Sequence, residues 1–156
     1  MCRSALLFTL LALMLATGLV SAQGAAGRSN GVGIILGEPT GFSYKHHIDR
    51  TNALALGAAW SFSGSTHFHL QGDYLWHRYD LIQVKSGQLP VYFGLGGRVE
   101  FREDKDDLWG LRIPFGLDYY FAGVPLDIFV ELVPVLQLLP DSGVDLEGAL
   151  GLRFWF

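Results

Sequence analysis

A chain of 156 residues that is 50% hydrophobic, only 17% charged and carries twenty glycines suits a single domain, but not an ordinary water-soluble one. Its formal charge is −4 and no basic run exceeds two residues, so a nucleic-acid partner has no electrostatic footprint.

The first element is a short positive start at Arg3, an apolar run from Leu6 to Val20, and the small residues Val20-Ser21-Ala22 before Gln23. That three-part pattern predicts a signal peptide over residues 1–22, cleaved after Ala22. The run of about fifteen residues is short of the roughly 20 that a spanning helix needs. Cys2 falls in the segment expected to be removed, which leaves a mature chain without disulfides, thiol chemistry or a cysteine-ligated metal. Residues 23–30 are expected to form a short extension, and residues 31–156 the folded domain.

From Gly31 onward the hydrophobic period is two, the period of strands. Turn-forming residues divide the chain into strands predicted at 31–37, 41–48, 52–62, 66–78, 89–102, 109–121, 125–138 and 143–156. One face of every strand is apolar and free of Asp, Glu, Lys and Arg. The opposite face carries Lys45, Asp73, Arg98, Glu100, Arg112, Asp118, Asp127, Glu131, Asp145, Glu147 and Arg153. It is also rich in small residues, as in Ala53, Ala55, Gly57 and Ala59, which suits a narrow lumen better than a solvent face. The apolar face carries Trp60, Trp76 and Trp109, and its aromatics gather toward strand ends, as interfacial girdles require. The predicted fold class is therefore all-β: an eight-stranded antiparallel up-and-down transmembrane β-barrel with a polar, side-chain-filled interior. Pro114 and Pro134 lie inside strands, and each predicts a bulge or local break.

In architecture this pattern resembles the small eight-stranded outer-membrane barrels of the OmpA/OmpX type. The stretches GVGIILGEPTGFSYK (31–45), LQGDYLWH (70–77), LPVYFGLGGRVEF (89–101), IPFGLDYYFAGVPLDIFVELVPVL (113–136) and GLRFWF (151–156) are similar to a family of small bacterial outer-membrane β-barrel proteins of unassigned function. The resemblance implies an outer-membrane location in a Gram-negative-type bacterium, with lipid and lipopolysaccharide as surroundings. The terminal Phe154 and Phe156 resemble the signal read by the barrel assembly machinery, an expected partner during biogenesis. Barrels of this kind place both termini in the periplasm, which puts the longest connection, Tyr79 to Gln88, on the periplasmic side. The connections expected outside are all short, so the long loops of an adhesin are missing.

Three candidate sites follow. The first is an interior charge network of Lys45, Asp73, Arg98, Glu100, Arg112, Asp118, Asp127, Glu131, Glu147 and Arg153. Tight hairpin registers predict Glu131 diagonal to both Arg112 and Arg153, and Asp118 facing Asp127 with Arg153 bridging them. Such a network plugs the lumen and gives a structural or interaction role; the alternative is a narrow cation-preferring pore. The second is Ser61 beside His67 with His69 two residues on, the minimum for an activated nucleophile and so for a lipid or acyl hydrolase. It lacks an orienting carboxylate, and His-x-His alone is an unspecific metal pattern, so no catalytic or metal site is assigned and no cofactor is implied. His46, His47 and His77 are expected at the interface. The third is the acidic turn Glu103 to Asp107, whose spacing does not match a calcium loop.

Overall fold

The computed structural model of the chain describes residues 27–37, 40–61, 67–102, 106–140 and 142–156, with only the backbone of 61 and 67. Among these residues every regular element is a strand. They are β1 (Asn30–Gly37), β2 (Gly41–His47), β3 (Asn52–Ser61), β4 (His67–Arg78), β5 (Val91–Arg102), β6 (Leu108–Arg112), β7 (Phe115–Tyr120), β8 (Leu126–Leu139) and β9 (Gly143–Trp155). Sequence neighbours pair antiparallel except β6 and β7, which lie end to end between β5 and β8, and β1 pairs with β9. The result is a closed up-and-down ring of eight strand positions with no free edge. The predicted signal peptide and half of the predicted extension, residues 23–26, lie outside the described residues, while Asn30 already belongs to β1.

The strand predicted over 109–121 is two strands, β6 and β7, in one continuous register. Gly96 faces Arg112 before the gap and Phe93 faces Phe115 after it. Pro114 has no N–H to give, but its carbonyl still accepts from Gly94 N at 2.8 Å, so the break costs one bond and not the register. Pro134 does not break β8: it stays in the ladder opposite Leu146. Its carbonyl accepts from Ile113 N at 3.0 Å. In an antiparallel ladder a residue's N–H and C=O point to the same neighbour, so the donor missing at Pro134 falls beside Ile113, where β6 already ends. Two prolines thus share a single gap. The irregularity in β8 is instead at Leu138, skipped where the register passes from Trp109–Leu139 to Gly110–Gln137.

Side chains alternate across the wall, and the large apolar ones face out. Leu56, Val130, Leu132 and Leu150 are exposed, and Leu132 retains 52% of its surface. Outside, aromatic pairs mark two levels. Phe42 with Trp60 and Phe68 with Phe101 lie toward the end of the barrel where β1 and β3 finish, and Tyr74 with Trp76 and Tyr119 with Phe121 lie toward the termini. Phe68 to Trp76 spans roughly 27 Å along the strand, or about 20 Å along the axis at a tilt near 40°.

The interior holds more bulk than the sequence suggests, because Tyr92, Tyr120, Phe129 and Trp155 are all buried inside with the charged groups. Each of three sits over a glycine directly opposite. A Cβ on Gly31 would lie 2.9 Å from the Trp155 ring, on Gly116 2.3 Å from Tyr92, and on Gly151 2.2 Å from Phe129. The register supplies the pairing, since Gly31 faces Trp155, Gly116 faces Tyr92 and Gly151 faces Phe129. A narrow lumen is thus filled by setting large against none, position by position.

Candidate functional site in the barrel interior

Strand alternation carries the charged residues of β2, β4, β5, β6, β7, β8 and β9 to one enclosed space, where they form two clusters. The first centres on Arg112 of β6. Its Nε lies 3.1 Å from Asp73 Oδ1, its Nη1 2.5 Å from Glu147 Oε2 and its Nη2 3.3 Å from Glu131 Oε1. One planar guanidinium thus serves three carboxylates with its three nitrogens, which a lysine could not do. Glu147 is shared, since Arg98 Nη1 also donates to it, and Arg98 Nη2 reaches Asp145 Oδ2 at 3.5 Å. Asp145 is itself half exposed at the mouth, the one charged member of its face in β8 and β9 that leaves the interior. Glu100 stands further toward that mouth, half-buried and opposite His69 in register.

The second cluster centres on Asp118 of β7, which is fully buried. Lys45 Nζ donates to its Oδ2, Arg153 Nη2 to its Oδ1 at 2.5 Å, and Tyr120 Oη to Oδ2 at 3.4 Å. Arg153 Nη2 also bonds Asp127 Oδ2 at 2.6 Å, so it bridges the two aspartates as the register predicts. Asp118 itself faces Phe129, however, and Asp127 faces Tyr120, so the aspartates are diagonal and not opposite. The Arg153 guanidinium stacks over Phe129 with its carbon 4.1 Å from the ring centroid, and Lys45 Nζ lies 4.7 Å from that of Tyr92. Such cation–π contacts are strongest where water is excluded.

Tyr92 joins the clusters. Its hydroxyl donates to Glu131 Oε2 at 2.7 Å while its ring lies under Lys45. The second partner of Glu131 is therefore Tyr92 and not the predicted Arg153. The tyrosine's part was not legible beforehand, because the strand start at 89 sets no alarm for an inward aromatic; its signal is Gly116 in the facing strand.

His77 is a correction. It is buried in the interior, not interfacial, with Nε2 3.3 Å from Asp118 Oδ2 and Nδ1 3.2 Å from the Thr51 carbonyl oxygen. His47 is also turned inward, with its ring 5.1 Å from that of His77 and 5.0 Å from Trp155, and its Nε2 2.9 Å from the Tyr120 hydroxyl. His46 does point outward, with Nδ1 2.9 Å from Asn30 Oδ1. The aromatic ring of His47, His77, Tyr120 and Trp155 closes the end of the lumen nearest the termini.

Beside the first cluster lies a cavity of about 10 Å³, lined in part by Gln71, Arg112, Glu131 and Glu147. That is room for about one water molecule. Among the described residues, five buried polar atoms lack a partner, including Gln71 Oε1, His69 Nε2 and Arg98 Nε.

Other predicted positions are placed as follows. Ser61 and His67 face each other in the β3–β4 register, but their side chains lie outside the described residues. His69 is buried. Part of the acidic turn, 103–105, also lies outside the described residues. Phe154 and Phe156 point outward on either side of the inward Trp155, and both are exposed. Outside the strands, the turn after β2 is built on Asp49. It accepts from Thr51 N at 2.7 Å, Asn52 N at 2.8 Å and Asn52 Nδ2 at 2.6 Å, which together hold its carboxyl well below the usual range. The Arg78 guanidinium likewise draws Asp80 down to about 2.

Among solved structures, the chain is similar to the N-terminal β-barrel domain of Pseudomonas aeruginosa OprF, at 18% sequence identity and a TM-score of 0.65 over 86% of this chain and 100% of that one. The similarity shows the fold, an all-β antiparallel up-and-down barrel. No family model and no curated protein matches the sequence.

Proposed function

We propose that the chain is a bacterial outer-membrane β-barrel with a structural or interaction role, its interior plugged by ion pairs, and that it acts without catalysis or cofactor. The observation that carries the proposal is the inversion of ordinary burial. Arg112, Asp118 and Arg153 are sealed inside while Val130, Leu132 and Leu150 stand exposed. In water that arrangement wastes the hydrophobic effect; in a bilayer it minimises cost. The closed ring supports it, because every wall strand finds two neighbours and hydrocarbon offers no water to an unpaired edge. So do the two aromatic levels, whose separation of roughly 20 Å is near the ~25 Å apolar band of such barrels. Location in the outer membrane, assembly by the barrel machinery through Phe154 and Phe156, and delivery by residues 1–22 belong to the same proposal.

The plug rests on packing. The water-sized cavity beside the Arg112 cluster, and the rings of His47, His77, Tyr120 and Trp155 gathered at the end nearest the termini, support a lumen too narrow for a hydrated ion. Heat-modifiable migration of the purified protein in detergent tests the barrel, and planar-bilayer recording tests the plug. Folded protein without unitary conductance is the expected result. Steady cation-preferring steps would replace the plug by the narrow pore, and migration unchanged by boiling would remove the barrel itself.

A further inference from the structure

Besides the strands, the longest described connection is 79–90, between β4 and β5 at the end of the barrel that carries the termini. It exposes three apolar side chains close together, Leu81 at 58%, Ile82 at 37% and Val84 at 37%. A free loop of this kind would be a liability. This one is tied to the outside of the wall. Tyr119, an outward residue of the aromatic level nearest the termini, donates its hydroxyl to the Ser86 carbonyl at 3.1 Å. Gln88 and Tyr120 exchange backbone bonds of 3.0 and 2.8 Å. Gly87 makes the approach possible. Its φ is +73°, and a Cβ there would lie 2.3 Å from the Tyr120 carbonyl oxygen and 3.3 Å from the Tyr119 ring. Gln88 thus continues the β5–β7 ladder past the end of β5, and the Ser86 carbonyl next to it is held by a hydroxyl from the outward aromatic level.

Resting on the outer-membrane reading above, we propose that residues 81–85 are a lipid-contacting foot. Leu81, Ile82 and Val84 enter the inner-leaflet boundary of the same bilayer that surrounds the barrel, with Lys85 at headgroup height. Two observations choose lipid over a protein partner. The apolar segment is followed directly by Ser86 and Gly87, which lie against Tyr119 of the outer wall. The other two connections at this end also expose apolar residues, Ile48 at 51% and Val124 at 42%, as a rim lying at a lipid boundary would.

The experiment uses the full chain with Cys2→Ser, reconstituted into vesicles of phosphatidylethanolamine and phosphatidylglycerol. Single nitroxide labels are placed at Leu81→Cys, Val84→Cys, Val130→Cys on the wall and Ser142→Cys in the opposite turn. Relaxation by oxygen and by a water-soluble nickel chelate is then compared. The expected result is loss of nickel relaxation, with oxygen relaxation retained, at 81, 84 and 130 but not at 142. Nickel access at 81 and 84 with 130 still shielded would overturn the foot and leave the barrel standing. Nickel access at 130 as well would overturn the membrane reading and the foot together. Shielding of 81 and 84 from both reagents would mean a protein cover and would overturn lipid contact. An Ile82→Trp chain gives an unlabelled check. Added quenching by bromine-labelled phosphatidylcholine relative to the parent supports the foot, and its absence overturns it.

Discussion

Replacing Arg112 by Met keeps much of the side-chain volume and removes the charge that three carboxylates share. A naive sum would assign the loss of three pairs, but the geometry says otherwise. Glu147 keeps the bond from Arg98, and Glu131 keeps the 2.7 Å bond from the Tyr92 hydroxyl. Asp73 keeps nothing comparable, since among the described residues its ion pair is with Arg112 alone, at 3.1 Å, and its side chain is only 3% exposed. The cost is therefore that of one broken buried pair, about 3–5 kcal/mol, and not three times that. At an m-value of about 2 kcal/mol/M the urea midpoint of the vesicle-inserted protein should fall by roughly 2 M, read by boiled and unboiled gel mobility across a urea series. Adding Asp73→Asn removes the stranded charge, so the double variant should recover most of the loss; the two sites touch, so their effects cannot add. A midpoint within about 0.5 M of wild type for Arg112→Met, or a double variant worse than the single, would refute the claim that stranded charge sets the cost.

Gly151→Ala should lower stability by about 1–3 kcal/mol in the same urea assay, because its Cβ meets the Phe129 ring at 2.2 Å and the Ile34 carbonyl oxygen at 2.6 Å. Gly148→Ala, whose Cβ meets nothing within 4 Å, should change it by less than about 0.5 kcal/mol. On the membrane reading, Val130→Arg puts a cation on the outer wall and should cost about 2–4 kcal/mol, seen as a lower urea midpoint in vesicles, while a wild-type midpoint would count against lipid at that position. Asp49→Asn tests the turn. The folded Asp49 carboxyl titrates below its unfolded value of 3.8, so its stabilisation is complete above that pH and is lost as pH falls through the folded value. The midpoint gap between wild type and Asp49→Asn should therefore be constant near neutral pH and close progressively below about pH 4, and a gap that widened with acid would reverse the assignment.

The strand pattern was legible because a period of two, kept over the whole domain, admits no other element. The bridge from Arg153 to Asp118 and Asp127 was legible for the same reason: once two hairpins close tightly, register follows. What failed did so where one face had to be subdivided further. Alternation places His77 on the inward face, yet a histidine near a strand end reads equally well as interfacial; only the buried Asp118 carboxylate beside it decides. Pro134 was expected to break its strand because a proline was counted alone. Its neighbour Ile113 already sat at the end of β6, so the lost donor cost nothing extra.

Interior aromatics show where one-strand reasoning stops. A lumen of eight strands is just filled by ordinary side chains, so Trp155 or Tyr92 pointing inward looks excluded on volume. The volume that matters is not the mean, however, but the space at one level, and that depends on the residue across the ladder. Trp155 fits because Gly31 faces it, and Phe129 fits because Gly151 faces it. These partners are 124 and 22 residues away in sequence. A glycine that looks like idle permissiveness in its own strand is a socket for the next one. The same rule reaches the charges, since Gly33 faces Arg153 and a Cβ there would lie 2.7 Å from that side chain. Arg153 can lie flat across Phe129 and reach both Asp118 and Asp127 only because β1 presents no side chain at that level. The ion pairs and the glycines are therefore one design: enlarging Gly33 should disturb the Asp118 cluster as surely as removing one of its charges.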